Sequence, residues 1–172
     1  NGELGASTGG ESFSNVPLKV LDADADDPVV DLSANRATCV VRLSGALECW
    51  GRNFEGVADP TKDENSVSSA RELLPRLSNT AQVVGISDLR VDAYGTYALS
   101  DRGELASWGR VISPDSGEPD EFESPVHYPA VSGLTDRLLD IKAAGDFVCG
   151  VSISGDLLCW GRRDRMGIGS GD

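Results

Sequence analysis

Four cysteines are the residues whose type and spacing promise chemistry, and they fall into two pairs of equal spacing, Cys39 with Cys49 and Cys149 with Cys159. A glycine lies inside each pair, Gly45 or Gly155, and a Trp-Gly dipeptide, Trp50-Gly51 or Trp160-Gly161, follows at once. Between the pairs the same pattern returns around Gly103 and Trp108-Gly109, with Tyr97 and Ser107 in the cysteine positions. Both cysteines are thus missing together, as a covalent bond within one hairpin predicts and as four independently buried thiols do not. Facing residues of antiparallel strands bring their Cα atoms to about 4.5–5.5 Å, a span that a disulfide bridges. Two intra-hairpin disulfides are expected, with reduced core thiols and a zinc site as the alternatives; nine intervening residues is a poor zinc-ligand spacing. Disulfides imply an oxidising place, so the expected location is extracellular, periplasmic or on a cell surface.

Other chemistry is sparse. The sole histidine, His127, stands in "SPVHYPAV", read as a loop or the start of an outer strand, so a His-based triad has only this residue to draw on. The carboxyl-terminal "GIGSGD" lacks the helix and lysine of a phosphate-cradling turn. In "DADADD", Asp22 to Asp27, the residues Asp22, Asp24 and Asp26 alternate as calcium ligands can, but the mid-loop glycine and terminal glutamate of a helix-loop-helix calcium site are absent. The run reads as a solvated edge. No catalytic residue, metal ligand or cofactor is expected, and the chain reads as no enzyme.

The elements that must hold the cysteines repeat. "TCVVRLSGALECWGR", "TYALSDRGELASWGR" and "VCGVSISGDLLCWGR" superpose on their Trp-Gly pairs, which lie 58 and then 52 residues apart. In each, apolar residues alternate on both sides of a glycine, as a tight antiparallel hairpin requires. Upstream lie further alternating runs, "VVDLSA", "ISDLRVDA" and "LLDIKAA", preceded by "PLKV", "PRL" and "PAV", so each repeat reads as about four strands. Polar connections such as "DPTKDENSVSS" and "SPDSGEPDEFESP" read as surface loops. The repeats divide the chain at residues 1–53, 54–110 and 111–163, and residues 164–172 begin a next repeat in phase with 1–8, Ile168-Gly169 matching Leu4-Gly5.

These copies, with Cys49-Trp50-Gly51-Arg52-Asn53 and "NGELG" at the amino end, resemble the Trp-Gly-x-Asn-x-x-Gly-x-Leu-Gly pattern of the regulator of chromosome condensation (RCC1-like) repeat family. The resemblance covers nearly the whole chain and points to a bacterial-type secreted or surface member. It implies an all-β fold of β-propeller blades, three four-stranded antiparallel repeats in a family whose rings usually have seven. Three fall short of the four to eight blades that close a propeller, so the chain is expected to be part of a larger ring or to close by self-association. Family copies often carry a histidine where this chain has Ala37, Gly95 and Phe147. The resemblance further implies a non-enzymatic protein-binding scaffold. In the family's inhibitor type the contacts come from the loop before the hairpin, here Arg36 and Ala37, Tyr94 and Gly95, and Asp146 and Phe147. Arg36, Tyr94 and Phe147 are the side chains of an interface-enriched type. Trp50, Trp108 and Trp160, recurring in register, are expected in the blade core. A structural or adhesive segment of a large surface protein, or an accessory domain of an enzyme outside this chain, are the alternative readings.

Composition narrows the partners. Of 172 residues, 28 are acidic and 15 basic, a net charge of -13, with no Lys/Arg block to neutralise a phosphate backbone. A protein partner is therefore expected in place of nucleic acid. No apolar stretch reaches the 18 or so residues that cross a bilayer, so no membrane insertion is expected. The amino end, Asn1-Gly2-Glu3, lacks the regions of a signal peptide, and the chain reads as a piece trimmed from something larger.

Overall fold

Hairpins form wherever the sequence alternates around a phased glycine. The computed structural model describes residues 4–5, 14–61, 64–73, 85–92, 95–110, 137–145 and 147–161. Its first sheet runs in the order β1 (Val29–Ala34), β2 (Ala37–Arg42), β3 (Leu47–Arg52) and β4 (Ser66–Leu73). A second sheet holds β5 (Ile86–Val91), β6 (Gly95–Ser100) and β7 (Leu105–Gly109), and a third holds β8 (Leu138–Ala143), β9 (Phe147–Ser152) and β10 (Leu157–Gly161). All pairings are antiparallel.

The three hairpin turns close alike. Gly45 N–H donates to the Arg42 carbonyl at 2.8 Å and Arg42 N–H to that of Ala46 at 2.9 Å; Ser100 with Gly103 and Glu104, and Ser152 with Gly155 and Asp156, repeat both bonds. Gly45, Gly103 and Gly155 take φ of 82°, 75° and 91°, left-handed backbone that a Cβ would strain. A type I turn followed by such a residue is a common three-residue hairpin loop, and it sets the register. Cys39 accordingly faces Cys49, Tyr97 faces Ser107, and Cys149 faces Cys159. Both cysteine pairs are disulfide-bonded with Cα atoms 4.1 Å apart, as the internal comparison of the repeats predicts.

The core lies between sheets. Val41, Leu47, Leu89 and Trp108 belong to the cluster joining sheets one and two, and Leu99, Leu105, Ile141 and Trp160 to the one joining sheets two and three. Trp50, Trp108 and Trp160 are all buried. A buried indole needs an acceptor for its N–H. Trp108 Nε1 donates to the Val57 carbonyl at 2.9 Å, which also accepts the Thr96 hydroxyl at 2.9 Å. Val57 is held there by Asn53, whose carboxamide oxygen accepts the N–H groups of Ala58 and Asp59 and whose nitrogen donates to the carbonyls of Asp59 and Glu64.

Two sequence-based expectations are corrected. The fourth strand of the first sheet follows the hairpin as β4, whereas the "PLKV" run is not a strand. The "DPTKDENSVSS" segment is more than a surface loop: Asp59 is buried at its start and its last residues open β4. The physical reason is that β4 is an outer strand held by backbone bonds to β3 with only Val67 buried, so its sequence stays polar. The sheet therefore ends beyond residue 53, offset from the repeat boundary.

Candidate functional site

Each inner strand, β1, β5 and β8, carries an aspartate in phase: Asp31, Asp88 and Asp140. At each the register with the neighbouring strand slips by one residue, a bulge that re-aims the side chain. Asp31 and Asp88 each accept the N–H of the next residue at 2.9 Å, and Asp88 also accepts the Ile141 N–H of sheet three at 3.3 Å. Arg90 joins the two sheets, 2.6 Å from Asp88 and 3.6 Å from Asp140, while its Nε donates to the Ile141 carbonyl at 3.1 Å. Lys142 pairs with Asp140.

Burial first, and then the hydrogen bond with Asp140, raise the Asp88 carboxyl above its ordinary pKa. The same hydrogen bond, followed by that of Lys142, lowers Asp140. Two carboxylates so placed could serve acid-base chemistry, yet here two cations neutralise them and main-chain N–H groups occupy them, so their evident work is to join inner strands. Among the described residues no three His, Cys, Asp or Glu side chains gather as a metal site. In the Asp22–Asp27 run, Asp24 accepts the N–H groups of Asp26 and Asp27, Asp27 accepts both the N–H and the hydroxyl of Ser44, and Asp22 pairs with Lys19. His127 lies outside the described residues.

The inner strands also fix one rim of the sheets. There the connections β1–β2, β5–β6 and β8–β9 are each closed by one backbone bond, from Asn35 to Ala37, Asp92 to Gly95, and Ala144 to Phe147, at 2.8–3.0 Å. Asp92 links two of them by accepting the Gly145 N–H. What this rim offers is a row of phased loops, each closed by a backbone bond.

No family model matches the chain. Among curated proteins it is similar to the ultraviolet-B receptor UVR8 of Arabidopsis thaliana, 23% identical over 172 residues, 99% of this chain and 37% of the receptor. It is also similar to the mitochondrial RCC1 domain-containing protein RUG3 of the same plant, 28% identical over 109 residues, 59% of this chain and 24% of that protein. Its fold matches human WBSCR16 with a TM-score of 0.61 at 22% identity, covering 82% of this chain and 36% of that one. Prp20p of Saccharomyces cerevisiae matches with a TM-score of 0.58 at 18% identity, covering 77% and 33%, and so does yeast RCC1 (Prp20) solved with Kap60, at 0.59. The chain is built from RCC1-like β-propeller repeats. It spans about a quarter to a third of the length of the curated relatives it matches.

In these RCC1-like repeats Arg36 is exposed in the β1–β2 loop. Phe147 is half-buried at the start of β9, opposite Gly161. Tyr94 and Asp146, the other loop residues singled out from the sequence, lie outside the described residues. Ala37 and Gly95, at the family's histidine position, are buried. Sequence reasoning passed over Asp31, Asp88, Asp140 and Arg90; the signal available was the in-phase aspartate of "VVDL", "ISDL" and "LLDI".

Proposed function

We propose that these RCC1-like repeats form a non-enzymatic protein-binding scaffold, exported to the cell exterior, periplasm or cell surface, that meets its partner with the β1–β2, β5–β6 and β8–β9 loops. The observation that carries this reading is the shared backbone closure of the three loops on packed inner strands, which sets Arg36 and Phe147 at equivalent places on the rim. Solved structures of similar fold bear on it: one pairs Kap60 with yeast RCC1 (Prp20), another reports binding of Prp20p to Gsp1p and histones. Two disulfides support the oxidising location.

The test is cross-linking of the chain within the extracellular fraction of its source cells, with cross-linked positions mapped by mass spectrometry. The expected result is a protein partner cross-linked at residues 35–37 and 144–147, lost in an Arg36→Glu, Phe147→Ala double variant that keeps its strand circular dichroism. Cross-links spread evenly over the chain, or a partner retained by that variant, would overturn it.

A further inference from the structure

We propose that Arg52 and Phe54, on the rim beside the β1–β2 loop, form the contact patch for an acidic segment of a partner protein in which carboxylates flank an apolar side chain. The inference rests on the scaffold reading and adds the chemistry of the partner.

Arg42 meets Glu48, Arg71 meets Asp59, Arg90 meets Asp88 and Asp140, and Lys19 meets Asp22. In a chain of net charge -13 carboxylates are plentiful. The Arg52 guanidinium nonetheless pairs with none among the described residues and lies over the Phe54 ring instead, 5.4 Å from its centroid. Phe54 is 50% exposed, so the stack faces water. It sits at the rim because Arg52 ends β3, one step beyond the facing pair Ala37 and Gly51, and its N–H donates to the Arg36 carbonyl at 3.0 Å. Arg36 and Arg52 thus bring like charges to facing positions, which is unfavourable until an anion joins them.

The turn that holds the ring outward is fixed on both sides. The buried Asn53 accepts the Gly56 N–H on its carbonyl at 3.0 Å. Glu55, between Phe54 and Gly56, is the one non-glycine among the described residues with a positive φ, 66°. Its side chain turns inward, nine-tenths buried, with Oε1 3.8 Å from Nη1 of Arg110 just after β7. Left-handed backbone of this kind persists only where its surroundings over-determine it, and it gathers at binding sites.

A planar guanidinium matches a carboxylate through two parallel hydrogen bonds. Arginine and aromatic side chains concentrate binding energy, and an apolar partner residue seated on the Phe54 ring keeps water from the adjoining ion pair. The patch is local on an acidic molecule, which suits a short acidic segment and not a nucleic acid, whose long run of phosphates would meet the field of the whole chain.

The experiment is selection of displayed short random peptides on the oxidised chain, followed by fluorescence-anisotropy titration of those recovered. The expected sequences carry aspartate or glutamate beside leucine or an aromatic residue, and their affinity falls as salt is added. Arg52→Gln and Phe54→Ala should each weaken binding about tenfold or more with unchanged strand circular dichroism. Arg102→Gln, at an exposed arginine of the β6–β7 turn on the opposite rim, should leave binding as it was. Sequences without carboxylates, peptides rich in lysine and arginine, recovery no better than on an unrelated protein, or binding that survives both substitutions overturns the proposal. A cellular partner that still cross-links at residues 35–37 and 144–147 in the Arg52→Gln variant overturns this patch alone, whereas absence of those cross-links in the parent chain overturns the scaffold reading.

Discussion

Truncating Leu89 to alanine tests the packing of sheets one and two through an inner strand. Leu89 sits on β5, fully buried in the cluster that holds Val57 and Trp108. Loss of three carbons removes about 2.4 kcal/mol of transfer free energy at ~0.8 per buried group. The cavity left behind adds to this, because β5 is clasped by the β6 ladder on one side and by the Val91 N–H bond to Ser33 on the other, so the walls cannot close. The cost should be about 3–4 kcal/mol, a fall in Tm of roughly 6–16 °C for a chain of this size. Urea unfolding followed by circular dichroism gives the value, read at unchanged m so that only stability has moved. Leu43→Ala, at an exposed turn, is the control and should stay within about 0.5 kcal/mol. A Leu89 cost under about 1 kcal/mol, or one equal to the control, refutes the packing argument.

Trp108→Phe leaves the Val57 carbonyl with only the Thr96 hydroxyl and should cost about 1–2 kcal/mol in the same urea assay; Trp160→Phe is no substitute for it, lying in the other cluster. Replacing Cys39 and Cys49 together with alanine opens a loop with a separation of 10 residues and should cost about 3 kcal/mol under oxidising conditions, a difference that vanishes when the parent is fully reduced. Because the folded chain holds the Asp88 proton above the ordinary carboxylate range, that group's contribution is complete below the range and is lost as pH rises through the raised value. Asp140, lowered, contributes in the opposite sense, above the range, and loses its share on acidification. Asp88→Asn should therefore flatten the decline of the urea midpoint just above the ordinary carboxylate range; an identical slope there would show that Asp88 does not set it.

How much was legible in the sequence depended on whether a residue's role was local. Hairpin register follows from one glycine and its turn, so the pairing of Cys39 with Cys49 could be worked out from spacing and from the matched absence at Tyr97 and Ser107. Strand β4 could not, because "SVSSAREL" buries a single valine and joins its sheet by main-chain bonds that no side chain announces. Asn53 entered only as part of the Trp-Gly-x-Asn pattern, which does not reveal the four hydrogen bonds that bring Val57 under Trp108. The inter-sheet role of Asp88 and Arg90 depends on β8, some fifty residues away, and a pattern within one repeat contains no trace of it. For the rim, the sequence placed Arg36 and Phe147 at equivalent loops of the first and third repeats but could not say that one is exposed and the other half-buried.

The disulfides clasp hairpins across their strands, which matters for a chain under tension. Pulled by its two ends, the oxidised protein can peel its sheets apart and straighten its connections, but each span of 10 residues between bonded cysteines stays out of the line of force. About 35 Å of contour is withheld in each. The middle hairpin, Gly95–Gly109, has no clasp and gives up its full length. Under load the first and third repeats keep a short folded-back remnant while the second unravels completely, so extension differs between repeats that at rest share one design.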